Sequence, residues 1–240
     1  MLALKGAHTV QSFSAQLWEE ARPVWRAIQG HPFLRELQDG TLRLDAFQYY
    51  VIQDFHYLAG FGRAVATALS KAKEADLVQR LLPRVATPIE RPLHRRLFDL
   101  LGIDESQAEA TEVSPTNMAY TDHLEATAAE GGIGTAAAAL LPCPWTYHEL
   151  GSLLRRPEHP IYDVWFDGYA TGLLADSAAA WRGLVDEFGH RHGPAGREAM
   201  RRAFMTSARY EFMFWTMAYT MERWPVGAES PDSPGADAIG

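Results

Sequence analysis

The stretch FQYYVIQDFHYLAGFG, residues 47–62, places its large apolar side chains at the spacing of an α-helix. Phe47, Tyr50, Val51, Leu58 and Phe61 recur on one face at helical intervals and form a single stripe. Most other segments of the chain show the same periodicity, whereas strand alternation bounded by hairpin turns is nearly absent. The sequence therefore predicts an all-α fold.

Start and stop signals divide the chain into helices. Ser114-Pro115 is typical of an N-cap followed by a first turn, and Gly131-Gly132 would end this helix after Glu130. Further helices are predicted over Ser12–Ile28, Ala46–Lys73, Ile161–Ala175, Ser177–Phe188 and Ala195–Trp224. We expect residues 1–224 to form a single domain, and residues 225–240, rich in Pro, Gly and Asp, to form a disordered tail.

The composition is that of an ordinary globular protein and argues against two classes of function. Of the 240 residues, 47% are hydrophobic and 22% are charged, and the formal net charge is −8 at pH 7. An acidic chain without runs of Lys and Arg is a poor partner for nucleic-acid phosphates. No apolar segment approaches the ~20 residues of a membrane span, and the first residues lack the apolar region of a signal peptide. We expect a cytoplasmic protein, because a single cysteine also suits a reducing compartment.

Two predicted helices each direct one carboxylate inward among aromatic side chains. Asp54 lies in the middle of the apolar stripe of residues 47–62, with Tyr57 one turn later. In the last helix, Glu211 lies about 200° around the helix axis from the polar stripe. That stripe consists of Arg209, Thr216, Thr220 and Arg223. A buried carboxylate must be hydrogen-bonded or protonated, so each is either a structural group bound by a Tyr or Arg or part of a functional site.

The only cysteine, Cys143, lies between Pro142 and Pro144 in LLPCPWTYHELG, residues 140–151. The two prolines remove backbone donors, so we expect a kinked helix with the thiol at the break and Tyr147 on the same face. Cys143 is either a small buried apolar residue or a reactive thiol. Tyr120 and Tyr169 add phenols within apolar segments. Together these groups suit a flat heteroaromatic substrate, which aromatic rings stack against, carboxylates hydrogen-bond and a thiolate adds to.

Six blocks of sequence together resemble the TenA family, also called thiaminase II, over the range from about Phe13 to Trp224. They are HPFLRELQDGTL (31–42), FQYYVIQDFHYL (47–58), SPTNMAYTDHL (114–124), LLPCPWTYHELG (140–151), HPIYDVWFDGYA (159–170) and YEFMFWTMAYTMERW (210–224). The resemblance implies a helical bundle like that of haem oxygenase, usually assembled as a tetramer. It also implies hydrolysis of aminopyrimidines in thiamin salvage, without a metal or an organic cofactor.

The resemblance also implies roles for individual residues. Cys143 matches the nucleophile that adds to the pyrimidine ring, which places the chain in the Cys-bearing branch of the family. Glu211 matches the acid that hydrogen-bonds and helps to protonate a ring nitrogen, and Asp54 matches the residue that binds the amino-pyrimidine edge. Four tyrosines would stack on the ring, orient Asp54 or complete the hydrogen-bond network: Tyr57, Tyr120, Tyr147 and Tyr169. The expected products are hydroxymethyl pyrimidine with ammonia or, from thiamin, with the thiazole.

Two other functions remain possible from the sequence. The first is a metal- or haem-dependent oxidase, because histidines occur in helical segments, namely His56, His94, His123 and His148. Glu90 and His94 have the i, i+4 spacing of a ligand pair, but we expect Pro92 to disrupt their helix, and no second such pair follows. The second is a non-catalytic regulatory protein, which the missing basic recognition helix and the negative charge argue against.

Overall fold

The computed structural model describes residues 11–86 and 89–226, and within these ranges the chain folds into thirteen α-helices without a β-strand. The all-α prediction is therefore confirmed. The helices are α1 (Phe13–Glu20), α2 (Arg22–Gln29), α3 (Pro32–Gln38), α4 (Leu44–Ser70), α5 (Ala75–Ala86), α6 (Arg91–Leu101), α7 (Glu105–Ala110), α8 (Pro115–Glu130), α9 (Ile133–Leu140), α10 (Pro142–Leu153), α11 (Pro160–Ala170), α12 (Ala175–Arg191) and α13 (Pro194–Thr220).

The first predicted helix, Ser12–Ile28, is divided in two. Helix α1 ends at Glu20, and α2 begins at Arg22 with Pro23 in its first turn. Proline fits the first turn of a helix because the N–H that it lacks has no partner within the helix there. The same rule holds at α8, where Ser114 is the N-cap, as predicted, and its side chain accepts a hydrogen bond from the Asn117 N–H.

The helix around Cys143 is interrupted at the predicted place. Helix α9 ends at Leu140 and α10 begins at Pro142, so Pro142 and Pro144 both lie in the first turn of α10. Leu141 between the helices keeps α-helical dihedral angles, φ −62° and ψ −38°. The prolines therefore interrupt the hydrogen bonding of the helix, while the backbone at the junction stays helical.

Helices α4, α8 and α13 pack against one another and carry most of the inward-facing groups. Gly60 permits the close approach of α4 to α8, because a Cβ at this position would lie 2.5 Å from Cγ2 of Thr121. This contact brings Tyr57 of α4 beside Tyr120 of α8, with ring centroids 5.0 Å apart. The buried apolar side chains form one continuous core around these helices.

One prediction concerns the C-terminal tail and another concerns membrane spans. The disordered tail of residues 225–240 lies outside the described residues except for its first two positions, and so do the first ten residues of the chain. Among the described helices, none is both long and apolar enough to cross a membrane.

Candidate active site

Side chains from four helices line a narrow inner pocket. Its residues are Asp54 and Tyr57 of α4, Tyr120 of α8, Tyr147 of α10, and Glu211 and Phe214 of α13. The free space between them is about 10 Å³, which is room for roughly one water molecule. An aromatic ring is larger than this space, so it can enter the inner pocket only when these side chains move apart. Five of the seven residues singled out from the sequence therefore meet at one place.

Glu211 is buried, with 3% of its surface exposed, and accepts a hydrogen bond of 2.6 Å from the Tyr120 hydroxyl at Oε1. Burial raises the pKa of Glu211 to about 8, and the charges of Asp54 and Glu90 add to this, whereas the Tyr120 hydrogen bond acts in the opposite direction. At neutral pH the carboxyl group therefore holds its proton and can act as an acid.

Asp54 forms a buried ion pair with His94 of α6, with Nε2 of His94 3.0 Å from Oδ2. Nδ1 of His94 lies 3.2 Å from the backbone oxygen of Glu90. Because both partners of the ring can only accept hydrogen bonds, they favour the doubly protonated imidazolium. Burial lowers the pKa of His94, but the hydrogen bond and the charge of Asp54 outweigh burial and raise the pKa above 6.5. The pair fixes one oxygen of Asp54 and leaves Oδ1 without a hydrogen bond among the described residues.

An outer cleft of about 220 Å³ contains Cys143, whose thiol lies beside the Tyr57 hydroxyl of the inner pocket. It is lined by Leu58, Ala59, Phe61, Gly62, Arg84, Val85, Ile89, Glu90, Cys143, Pro144, Leu174, Ser177 and Trp181. Most of these side chains are apolar, and the charged groups are Arg84 and Glu90. The outer cleft therefore offers the sulfur of Cys143 to a ligand that is larger than a single ring.

Cys143 is buried, and burial raises the pKa of its thiol well above the usual value. The charges of Glu211 and Glu90 act in the same direction, while the neighbouring Tyr57 hydroxyl opposes them. The oxygen of this hydroxyl is itself buried without a hydrogen-bond partner in the described part of the chain. The thiol is therefore protonated at neutral pH.

The remaining two tyrosines occupy different positions. The Tyr147 hydroxyl lies in the inner pocket and is 2.9 Å from the Tyr50 hydroxyl, which also accepts a hydrogen bond from Trp165 Nε1. Tyr169 is among the lining residues of neither cavity. Its ring packs 4.8 Å from that of Tyr147, and its hydroxyl donates a hydrogen bond of 2.7 Å to Oε1 of Glu90. Tyr169 therefore contacts the two cavities only indirectly, through Tyr147 and Glu90.

Glu90 and His94 also lie at this site, although neither was predicted to. Their i, i+4 spacing signalled a shared location, but we interpreted it as a possible metal pair. The expectation that Pro92 disrupts the helix is wrong, because Pro92 lies in the first turn of α6, where its missing N–H costs nothing. The two side chains diverge, His94 to Asp54 and Glu90 to Tyr169.

The other histidines have separate partners. His56 Nε2 bonds the backbone oxygen of Ala108, and His123 Nε2 bonds the Ser207 hydroxyl. Within residues 11–86 and 89–226, no three His, Cys, Asp or Glu side chains are grouped as metal ligands.

Known proteins resemble this chain in sequence and in fold. Residues 18–221 match the model of the TENA/THI-4/PQQC family. An aminopyrimidine aminohydrolase from Bacillus subtilis is 34% identical over 220 residues, which is 90% of this chain and 93% of the relative. The structure of a TenA homologue from P. horikoshii OT3 has a TM-score of 0.78 at 33% identity, covering 88% of this chain and 99% of its own.

A more distant structure identifies the fold. It is a domain of unknown function from Shewanella denitrificans with a heme oxygenase-like fold, and its TM-score is 0.69 at 12% identity. The alignment covers 86% of this chain and 91% of that one. This likeness confirms the predicted haem-oxygenase-like bundle, and the family match over most of the sequence shows that the chain belongs to the TENA/THI-4/PQQC family.

Proposed function

We propose that this protein is a hydrolase of thiamin-derived aminopyrimidines. It would convert an aminomethyl pyrimidine to the hydroxymethyl pyrimidine and ammonia, and thiamin to the same pyrimidine and the thiazole. The observation that carries the proposal is the position of Cys143, a buried thiol beside Tyr57 of a pocket that has two carboxylates and an aromatic lining. The relative from Bacillus subtilis, named aminopyrimidine aminohydrolase, supports the same class of substrate.

The inner pocket would bind the pyrimidine ring. Oδ1 of Asp54 would accept a hydrogen bond from the exocyclic amino group, since His94 already holds Oδ2. The rings of Tyr57, Tyr120 and Tyr147 would pack against the pyrimidine faces and edges as they move apart to admit it. Tyr169 would act indirectly by holding Tyr147 and Glu90 in place.

Glu211 and Cys143 would act together on the bound ring. The protonated carboxyl of Glu211 would donate its proton to a ring nitrogen, which makes the ring electrophilic, and the sulfur of Cys143 would form a bond to a ring carbon. The thiol proton would replace the one that Glu211 has given. The Tyr57 hydroxyl lies beside the thiol, and the Tyr120 hydroxyl is bonded to Glu211. These two oxygen atoms would pass the proton from the thiol to Glu211.

The adduct would then expel the group on the exocyclic methylene. The electron pair of the enamine-like ring breaks the bond from the methylene carbon to the leaving nitrogen. Water adds to the methylene, and the ring returns its proton as the bond to Cys143 breaks. These steps use no metal or organic cofactor.

The test is turnover of 4-amino-5-aminomethyl-2-methylpyrimidine and of thiamin, side by side, in water labelled with heavy oxygen. We expect hydroxymethyl pyrimidine carrying the heavy oxygen from both substrates, because water attacks the methylene carbon. Absence of turnover with both substrates would refute the proposal. Turnover without the label in the product would refute the attack of water.

We also propose, from the family resemblance, that the protein is a cytoplasmic homotetramer. Sedimentation equilibrium of the full chain measures the assembly, and four times the 26.7 kDa chain mass is the expected result. Cell fractionation with antibodies against the chain tests the location. A monomeric mass, or recovery with the membranes, would contradict these two parts of the proposal separately.

A further inference from the structure

The outer cleft contains one carboxylate, Glu90, that the chemistry proposed for the ring does not use. Glu90 is the N-cap residue of α6 and shares the lining of the cleft with Cys143. Tyr169 donates a hydrogen bond to Oε1 of Glu90, so the carboxyl group has a fixed orientation. The neighbouring side chains in the cleft are mostly apolar, including Phe61, Leu174 and Trp181.

The positions of the three carboxylates divide the site by function. Asp54 and Glu211 line the inner pocket, whereas Glu90 lines the outer cleft together with Cys143, whose thiol lies beside Tyr57 of the inner pocket. A ring whose edge is bound by Asp54 and Glu211, and whose carbon is bonded to Cys143, directs its exocyclic substituent toward the remaining open space. That space is the outer cleft, and Glu90 is its only carboxylate among the lining residues.

We propose that Glu90 is a further catalytic residue, which contacts the leaving nitrogen and gives it the proton with which it departs as ammonia. This inference rests on the hydrolase function proposed above. When the bond from methylene to nitrogen breaks, its electron pair stays on nitrogen, and the proton of Glu90 completes ammonia. Glu90 then takes a proton from the water that adds to the methylene carbon, so the carboxyl group returns to its starting form.

The electrostatic surroundings of Glu90 fit this cycle. Burial raises the pKa of Glu90 to about 7, and the charge of Asp54 adds to this. The hydrogen bond from Tyr169 and the charge of His94 act in the opposite direction. Two further titratable groups share the cleft with Glu90, namely Cys143 and Arg84. A carboxyl group with a pKa near neutrality can both give and take a proton during one turnover.

The two substrates separate this role from a structural one. Ammonia leaves a neutral aminomethyl group only with an added proton, whereas the cationic thiazolium of thiamin leaves as a neutral thiazole without one. Glu90→Gln keeps the shape of the side chain but cannot donate a proton as an acid. We therefore expect kcat/KM to fall about 100-fold or more for the aminomethyl pyrimidine and less than about tenfold for thiamin.

The matched control is Glu105→Gln, which neutralises an exposed carboxylate at the start of α7 that pairs with Arg91, the residue next to Glu90. It should leave both activities unchanged. Thiamin turnover by Glu90→Gln also shows that this variant folds. Added imidazole should restore part of the aminomethyl activity in Glu90→Ala, because an imidazolium ion still carries a proton near neutral pH and the cleft has room for a small acid.

Three outcomes would count against Glu90 or the enzyme as a whole. An equal loss for the two substrates would make Glu90 a structural residue and overturn this inference, as would an unchanged rate with the aminomethyl pyrimidine. In both cases the active wild-type protein leaves the hydrolase function in place. A wild-type protein that hydrolyses neither substrate would instead refute the function on which the inference rests.

Discussion

The inner pocket and the outer cleft face each other across the neighbouring side chains of Tyr57 and Cys143, but they differ in free volume and in the way their polar groups are paired. In the inner pocket Glu211 is bonded to Tyr120 and Asp54 to His94, and the free space is about 10 Å³. The outer cleft has about 220 Å³ and a mostly apolar lining. The difference indicates that the inner pocket is built for one rigid group, whereas the outer cleft accommodates groups of different size.

This division has a consequence for mutagenesis. In the proposed binding mode every substrate presents the same pyrimidine ring to the inner pocket, so changes there should affect all substrates alike. Substrates differ in the group that occupies the outer cleft, so changes there should alter the ratio between substrates. Variants of the inner pocket and of the outer cleft therefore test the two halves of this comparison separately.

The largest effect should come from Cys143, which lines the outer cleft and lies beside Tyr57 of the inner pocket. We expect Cys143→Ala to lower kcat/KM by about three orders of magnitude or more with both substrates, because the covalent step is lost. Cys143→Ser is the matched variant, and its poorer nucleophile should restore little of the activity. Steady-state assays measure both. A Cys143→Ala protein as active as wild type would show that the sulfur does not bond to the ring.

Glu211→Gln should have the next largest effect, about 100- to 1,000-fold in kcat/KM with either substrate. Glutamine still accepts the Tyr120 hydrogen bond but cannot give a proton to the ring. The control Glu222→Gln changes a carboxylate that bonds Thr116 at the end of α13, away from both cavities. A loss confined to one substrate would contradict a role at the common ring.

The pH dependence of thiamin turnover gives a second test of Glu211. Its acid form is required, and burial raises its pKa to about 8, so kcat/KM should fall as the pH rises through about 8. The groups that act on Glu211 are Tyr120, Asp54 and Glu90. In Glu211→Gln this alkaline decline should disappear. A wild-type rate that instead rises through pH 8 would indicate that loss of the Cys143 proton limits the reaction.

His94 tests whether the inner pocket depends on the buried pair with Asp54. His94→Ala leaves a buried carboxylate without its partner, which costs about 3–5 kcal/mol of unfolding free energy. It should also raise KM by about tenfold or more for both substrates, because Asp54 loses its fixed orientation. His94→Gln restores a donor and should recover part of the KM. An unchanged KM in a folded His94→Ala protein would show that Asp54 does not need this support.

The same pair predicts the direction of a pH effect on stability. The pKa of His94 in the folded protein is raised above 6.5. The protonated pair therefore stabilises the folded state fully at pH values below the pKa of His94 in the unfolded chain. This contribution is lost as the pH rises through the folded value. The difference in melting temperature between wild type and His94→Gln should therefore shrink from pH 6 toward alkaline pH. A difference that grows with pH would contradict a charged pair.

The sequence predicts those features of the site that depend on a single helix. Helical periodicity records which face of a helix is buried, so it identified Asp54 and Glu211 as inward carboxylates, and both are buried. It also predicted the exposed stripe opposite Glu211, where Arg209, Thr216 and Thr220 are exposed. The prolines beside Cys143 identified the junction of α9 and α10, because a missing backbone N–H is also a property of the local sequence.

The partners of these groups could not be predicted, because they depend on how distant helices pack. His94 is 40 residues from Asp54 in the chain, and Tyr169 is 79 from Glu90. No periodicity within one helix reports such a pairing. Glu90 was also hidden by Pro92, which reads as a helix breaker but belongs to the first turn of α6. The spacing of Glu90 and His94 was the available signal. It could be interpreted only with the position of α4, which carries Asp54, the partner of His94.

The smallest effect should come from the apolar wall of the outer cleft, and it tests the comparison from the opposite side. Leu58 is half-buried on α4 and lines the cleft. Leu58→Ala removes about three carbons of contact, which is worth roughly 1–3 kcal/mol to a group that fills the space. We expect KM for thiamin to rise by about tenfold, and KM for the aminomethyl pyrimidine to stay within about twofold, because an amine does not reach this wall.

The matched control is Leu69→Ala, which shortens another half-buried leucine of α4 that lines neither cavity. It should lower stability by a similar amount without changing the ratio of the two KM values. If Leu58→Ala instead raised both KM values equally, the ring itself would occupy the outer cleft. The division at Cys143 would then be wrong, and Glu90 would face the ring and not the leaving group.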